Sequence, residues 1–261
     1  MPLKRELIFQ PNDKNIFQLR DGIEKLRSDK SCYSRQGDHQ QINVLTEGGL
    51  VSNGFLGFHA TDNHLAVLLK NICTSKKVGN HLRKNYGHNA WKLVQTMLFD
   101  ANPITSLHTD DIFLDSSVRG CLVGMLISLE DMSTMSGGIS LFDYSVSEID
   151  SLYNPITTSL DLVNISSADD VYSARGHYLS ALKDFVQKSK KKSIHLSSGE
   201  VVSWSSYIPH ESLRGSDDYI VPRRSIAAHF MPSSMEFTCL LGKNATSYAE
   251  RFRLQSIPIN L

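Results

Sequence analysis

The sequence predicts an α+β fold: a double-layered β-barrel or jelly roll, with helices gathered mainly toward the N-terminus. Three observations predict it. Helical spacing of apolar residues dominates up to about residue 90 and returns once, over residues 168 to 188. From Trp91 onward the chain breaks into short strand-like runs separated by Gly-, Pro- and Asn-containing turns. No internal repeat and no long linker divides the 261 residues. One domain over 1 to 261 is therefore expected, with 1 to 90 as helical and loop support and 91 to 241 as the barrel core.

The first helix is expected over residues 13 to 29, capped by Asn12 or Asp13, with Ile16, Leu19, Ile23 and Leu26 on one face. Residues 31 to 60 are rich in Gly, Gln, Asn and Ser and read as loops with short strands, part of a rim. Two helices follow. One carries Leu65, Leu68, Leu69 and Ile72; the next carries Val78, Leu82 and Tyr86 and stops near Gly87. Trp91 to Phe99 reads as a strand with Leu93, Gln95, Met97 and Phe99 on one face. Cys121 to Leu129 is a nearly continuous apolar run, as expected of a strand buried on both faces. Gly137-Gly138 opens a short strand, Ile139 to Phe142.

Residues 144 to 167 carry no clear period and join the expected rim. Residues 168 to 188 return to helical spacing, with Val171, Ala174, Tyr178, Leu182 and Phe185 aligned. The lysines Lys188, Lys190, Lys191 and Lys192 read as the solvated, dipole-favoured end of that helix. Ile194 to Leu196 and Val201 to Tyr207 are strands flanking the turn Ser198-Gly199-Glu200. Arg223 to Met231 alternates cleanly, and Phe237 to Leu241 follows.

Composition removes several function classes. Lys+Arg and Asp+Glu both number 27, so the formal net charge is zero, which argues against a general nucleic-acid or acidic-membrane binder. No apolar run reaches transmembrane length, and Met1-Pro2-Leu3-Lys4-Arg5 leads into no signal-like apolar stretch. The four cysteines are scattered without a CxxC pair. A cytoplasmic protein with free thiols is the expectation. Oligomeric state is left open.

The chemistry-bearing stretch is Leu107-His108-Thr109-Asp110-Asp111. In a strand, His108 and Asp110 share a face and can reach one metal ion; Asp111 would point away. A second histidine would complete the two-histidine, one-carboxylate set typical of non-haem Fe(II) oxygenases. Of ten histidines, His210 fits best, because Pro209 fixes the backbone at a strand's end, where a barrel opens. Arg223 and Ser225 share a strand face and together can hold a carboxylate. That combination suits Fe(II), 2-oxoglutarate and O2. His229 lies on the same face as Arg223 and reads as a hydrogen-bonded core histidine. Trp204 reads as core, and Arg119 and Arg214 read as solvated arginines beside the site.

These segments together resemble a known family. His108-x-Asp110, Ser198-Gly199-Glu200-Val201-Val202-Ser203-Trp204, Pro209-His210-Glu211-Ser212 and Arg223-Arg224-Ser225-Ile226-Ala227-Ala228-His229-Phe230 resemble the phytanoyl-CoA dioxygenase (PhyH-like) branch of the Fe(II)/2-oxoglutarate oxygenases. The likeness runs over residues 92 to 232. It implies a cupin-like double-stranded β-helix with iron held by His108, Asp110 and His210. It also implies that Arg223 pairs with the distal carboxylate of 2-oxoglutarate, that Ser212 contacts the cosubstrate, and that Met97 and Gln95, on the Thr96-Met97-Leu98 strand, lie beside it. The chain departs from the family at Ala101-Asn102-Pro103 and at Asp143-Tyr144-Ser145-Val146, so a fatty-acyl-CoA substrate does not carry over. The expected activity is hydroxylation of an unactivated C–H bond of a small molecule, releasing succinate and CO2. The carboxylate at Asp110 speaks against halogenation. Desaturation or cyclisation with the same ligands, and a non-catalytic jelly-roll binding module, are the alternatives.

Overall fold

The computed structural model describes residues 3–10, 12–28, 64–99, 105–112, 114–159, 168–186, 190–215, 223–238 and 256–259. The rim segment 31–60 and Leu241 lie outside them. The first helix, α1 (Lys14–Ser28), starts where Asp13 Oδ1 accepts the Asn15 amide at 3.1 Å, which decides the cap between Asn12 and Asp13. Ile16, Leu19 and Ile23 are fully buried on its inner face. Helix α2 (His64–Cys73) buries Leu65, Leu68, Leu69 and Ile72 as expected. Helix α3 (Lys76–Tyr86) is capped by Ser75 and ends at Gly87, whose φ of 83° is the left-handed turn that glycine adopts without strain.

The helices cover one face of a six-stranded sheet in the order β1-β7-β4-β9-β2-β11. Its strands are β1 (Lys4–Leu7), β2 (Trp91–Phe99), β4 (Val123–Ser128), β7 (Glu200–Ser205), β9 (Ser225–Pro232) and β11 (Ile257–Pro258), every pairing antiparallel. A small sheet, β6-β5-β8, is built from β6 (Lys191–Ile194), β5 (Gly138–Phe142) and β8 (His210–Leu213). Strands β3 (Asp115–Ser116) and β10 (Phe237–Thr238) form a separate pair. The two larger sheets share a core in which Leu126, Val202 and Trp204 meet Ile139, Leu141 and Ile194. Helices α4 (Val146–Ser159) and α5 (Ala168–Phe185) close that core through Ile149, Tyr178 and Leu182. Among the described residues no helix is long and apolar enough to cross a membrane.

The fold corrects several expectations. The His-Thr-Asp stretch is not a strand: His108 makes one isolated bridge to His210, and Asp110–Ile112 is a single 3-10 turn. In β2 a register shift between Leu93 and Gln95 puts Leu93 in the helix-covered core and leaves Gln95, Met97 and Phe99 on the other face. The last long helix stops at Phe185, and Lys191 and Lys192 belong to edge strand β6, each paired with a carboxylate, Glu211 and Asp143. His210 opens β8 rather than ending the strand before it.

Helix α4 was unexpected because Pro155 and a serine-rich composition hide its period. A capping box gives it away: the Ser145 amide donates to Glu148 Oε2 at 2.8 Å and the Glu148 amide to Ser145 Oγ at 3.3 Å.

Candidate metal centre

His108, Asp110 and His210 each present a ligand atom within 4.8 Å of the others. Three different devices bring them together. The backbones of His108 and His210 exchange both hydrogen bonds, 3.0 and 2.8 Å, which sets their imidazoles side by side with ring centroids 4.2 Å apart. The 3-10 turn is then held by its own amides: Asp110 N and Asp111 N both donate to Ser206 O, at 2.8 and 3.2 Å. Thr109 Oγ1, 2.7 Å from Tyr178 Oη, ties the same turn to α5.

Both histidines are oriented by their far nitrogen. His108 Nδ1 lies 2.7 Å from Ser106 O and His210 Nδ1 lies 3.0 Å from Ile208 O. A carbonyl accepts only, so each Nδ1 carries the proton and each Nε2 is the ring nitrogen left to face the carboxylate. Nε2 of His108 lies 3.8 Å and Nε2 of His210 lies 3.5 Å from Asp110 Oδ1. Burial, with the His210 imidazole beside it, pushes His108 down to about 4, so it is neutral and able to coordinate at neutral pH. Burial pushes the Asp110 carboxyl up, but the neighbouring imidazoles of His210 and His229 outweigh it, and the group stays ionised. Two imidazole nitrogens and one carboxylate oxygen suit a borderline divalent cation.

Arg223 is 2 % exposed, donates through Nη1 to the Gly138 carbonyl, and has no hydrogen-bond partner at Nε. Among the described residues it forms no ion pair with a carboxylate, and burial pushes its guanidinium down to about 10. Ser225, which follows on the same face, is fully buried with its Oγ unpartnered. Arg224, one residue out of phase, points the other way and pairs with Glu24 and Glu130. Gly138 lies three residues along β5 from Leu141, the register partner of His210. The arginine therefore anchors roughly 10 Å from the imidazole pair along the strand.

The other expected site residues are placed as follows. Gln95 and Met97 are half-buried on the inner face of β2, in register with His229 and Ala227 of β9. Ser212 sits on β8 and is tied to the approach of the metal turn, with its Oγ accepting the Thr105 amide at 3.0 Å. Asp111 is buried and takes Arg119 Nη2 at 3.1 Å, while Arg119 also pairs with Asp150 of α4, so that half-buried arginine is engaged by two carboxylates.

Sequence reasoning passed over two neighbours of the carboxylate. Trp204 Nε1 donates to Asp110 Oδ2 at 3.0 Å, and His229 Nε2 lies 3.4 Å from Asp110 Oδ1. His229 is buried as expected, but its Nδ1 has no hydrogen-bond partner. The signal that marks this spot is Gly124, an isolated glycine inside the apolar run 121 to 129, a position that indicates close approach. A Cβ there would lie 2.7 Å from Trp204 Nε1 and 2.9 Å from Asp110 Oδ2.

No protein-family model and no curated protein matches the sequence. Solved structures do match the fold. The non-heme alpha ketoglutarate dependent carbocyclase SnoK from nogalamycin biosynthesis superposes with a TM-score of 0.58 over 95% of this chain and 86% of its own, at 9% identity. The epimerase SnoN, in complex with Fe3+, alpha ketoglutarate and nogalamycin RO, gives 0.53 over 90% and 80%, also at 9% identity. EctD from S. alaskensis with bound Fe gives 0.55 over 94% and 78%, at 11%. At such identities the likeness establishes the fold alone, and that fold is shared with iron enzymes dependent on the keto acid.

Proposed function

We propose that this chain is a single-domain, non-haem Fe(II)/2-oxoglutarate-dependent dioxygenase with a double-stranded β-helix, hydroxylating an unactivated C–H bond of a small molecule. The observation that carries the reading is the convergence of two imidazole nitrogens and one carboxylate oxygen within 4.8 Å, each imidazole oriented by a backbone carbonyl. His108, Asp110 and His210 would hold the metal. Arg223 narrows the choice of cosubstrate. A buried guanidinium with no carboxylate partner among the described residues is costly unless an anion neutralises it. With Ser225 Oγ beside it and the metal ligands about 10 Å away along β5, a five-carbon dicarboxylate meets both ends. Met97 and Gln95 would flank that cosubstrate, and Ser212 would hold the loop that carries His108.

When bound, iron, 2-oxoglutarate and O2 supply the oxidising chemistry, in which the keto acid becomes succinate and CO2 and one oxygen atom reaches the substrate. The chain's own task is to fix the ligands, neutralise the distal carboxylate and exclude water with the Leu126, Val202 and Ile139 surfaces. The ligand set carries its carboxylate, and so leaves no place where that residue would yield to a halide. The epimerase and carbocyclase among the fold neighbours favour a second reading with the same ligands and a different product.

Asp110→Ala and His210→Ala are each expected to abolish succinate release from 2-oxoglutarate, with thermal unfolding still cooperative. Wild-type turnover in both would overturn the assignment. Arg223→Ala is expected to raise the apparent KM for 2-oxoglutarate ten- to a hundredfold, roughly the 1.5–3 kcal/mol of a lost charged hydrogen bond. An unchanged KM would remove Arg223 from the site. Product masses separate the two readings: hydroxylation adds one oxygen atom, whereas ring closure removes two hydrogens.

A further inference from the structure

One rung of the large sheet runs Gln95, His229, Gly124, Trp204 across β2, β9, β4 and β7, and three of those four positions meet Asp110. The indole N–H of Trp204 donates to Oδ2 at 3.0 Å, and His229 Nε2 stands 3.4 Å from Oδ1. Trp204 and His229 are 4 % and 7 % exposed, so solvent competes with neither contact. The tautomer of His229 follows from its other nitrogen. A proton on Nδ1 would leave a buried donor with no acceptor, which costs about 1–3 kcal/mol; the proton therefore belongs on Nε2, facing the carboxylate. Gly124 supplies the room, since any side chain there would collide with both the indole and Oδ2.

The result is an asymmetric carboxylate. Oδ2 is committed to a neutral donor, and Oδ1 is the oxygen turned toward His108 and His210. Building on the metal-centre reading above, we propose that Trp204 and His229 are positioning residues that hold Asp110 to coordination through one oxygen, with Gly124 opening the space in which they meet it. A carboxylate free to swing would bind through both oxygens and occupy a further position on the ion. The indole prevents that and keeps the position open for exogenous ligands. Neither residue touches the reacting atoms.

Anaerobic titration of the full-length protein with Co(II) alone tests the assignment without turnover, because the visible bands of Co(II) report coordination number. Trp204→Phe keeps an aromatic ring and removes the donor; Gly124→Ala keeps both residues and drives them apart. Each is expected to weaken Co(II) binding roughly 10- to 100-fold, the usual effect of losing a ligand's hydrogen-bond partner, and to change the band pattern. His229→Leu should act in the same direction and His229→Gln, which retains a donor, should largely restore binding. Unfolding midpoints of the metal-free variants identify any that lost binding through misfolding. Wild-type affinity and bands in Trp204→Phe and His229→Leu would overturn the proposal. Absence of Co(II) binding in the unmodified protein would instead overturn the metal-centre reading on which it rests.

Discussion

The two faces of the six-stranded sheet run along the same strands and have opposite chemistry. On β9, Ile226, Ala228 and Phe230 are fully buried in the core under α1, α2 and α3. One residue out of phase, Ser225, Ala227 and His229 face the small sheet. Among the described residues, the buried side-chain atoms lacking a hydrogen-bond partner are Ser140 Oγ, His195 Nε2, Arg223 Nε, Ser225 Oγ and His229 Nδ1. Three of those five belong to the inner edge of this one segment, 223 to 229. Burial of unpaired polar groups opposes folding, so the helix-covered face must supply the stability that the inner face withholds. The difference assigns separate tasks: the outer face packs the sheet against the helices, and the inner face carries buried, unpartnered polar atoms and faces the proposed metal ligands.

The largest way to break that division is to damage the outer face. Phe230→Ala should lower unfolding free energy by about 3–5 kcal/mol, read as a shifted urea midpoint, while Co(II) binding survives wherever the protein remains folded. Loss of metal binding in proportion to stability would mean the two faces are not independent.

A second prediction concerns charge buried beside the metal turn. Burial pushes the Asp115 carboxyl up to about 6, against the pull of the Gly120 amide at 3.0 Å and the Ser206 hydroxyl at 2.9 Å. The folded state thus holds this proton more tightly than the unfolded chain does. Its stabilising effect is complete below the unfolded value of about 4 and is lost as pH rises through about 6. Asp115→Asn keeps an acceptor and removes the charge. Its advantage over the wild type should grow to at most about 3 kcal/mol between pH 4 and pH 7. A difference that does not vary with pH would exclude Asp115 as the titrating group.

The smallest effect belongs to the rim. Ser145→Ala removes the cap of α4, where Ser145 Oγ donates to Glu148 Oε2 at 2.7 Å and accepts the Glu148 amide. A cost of about 1 kcal/mol is expected, on the order of 2 °C in the unfolding midpoint for a chain of this size. If 2-oxoglutarate turnover fell while stability did not, α4 would belong with the inner face rather than the scaffold.

Much of this was legible in the residues. Helices α1, α2 and α3 follow from apolar spacing and from Asp13 and Gly87, because caps and amphipathic stripes are local properties. The ligand trio could be nominated from residue type and order. The route by which it forms could not: His108 and Asp110 converge through a backbone bridge and a 3-10 turn, not through the alternation of a strand. The β2 bulge was likewise hidden, since Leu93 and Gln95 are two apart in sequence whichever face each takes.

The sequence by itself determined the helix stripes, the apolar run at 121 to 129 and the residue types able to bind a cation, all set by neighbours a few positions away. Only the tertiary structure decided that Trp204 and His229 belong to Asp110 and that, among the described residues, Arg223 has no carboxylate partner where Arg224 has two. Those relations join residues up to 200 positions apart, Arg224 to Glu24, and depend on the strand register that carries Trp204, Arg224 and His229 to their partners. Cross-strand register is fixed by the packing of the whole sheet and is not written in any one segment.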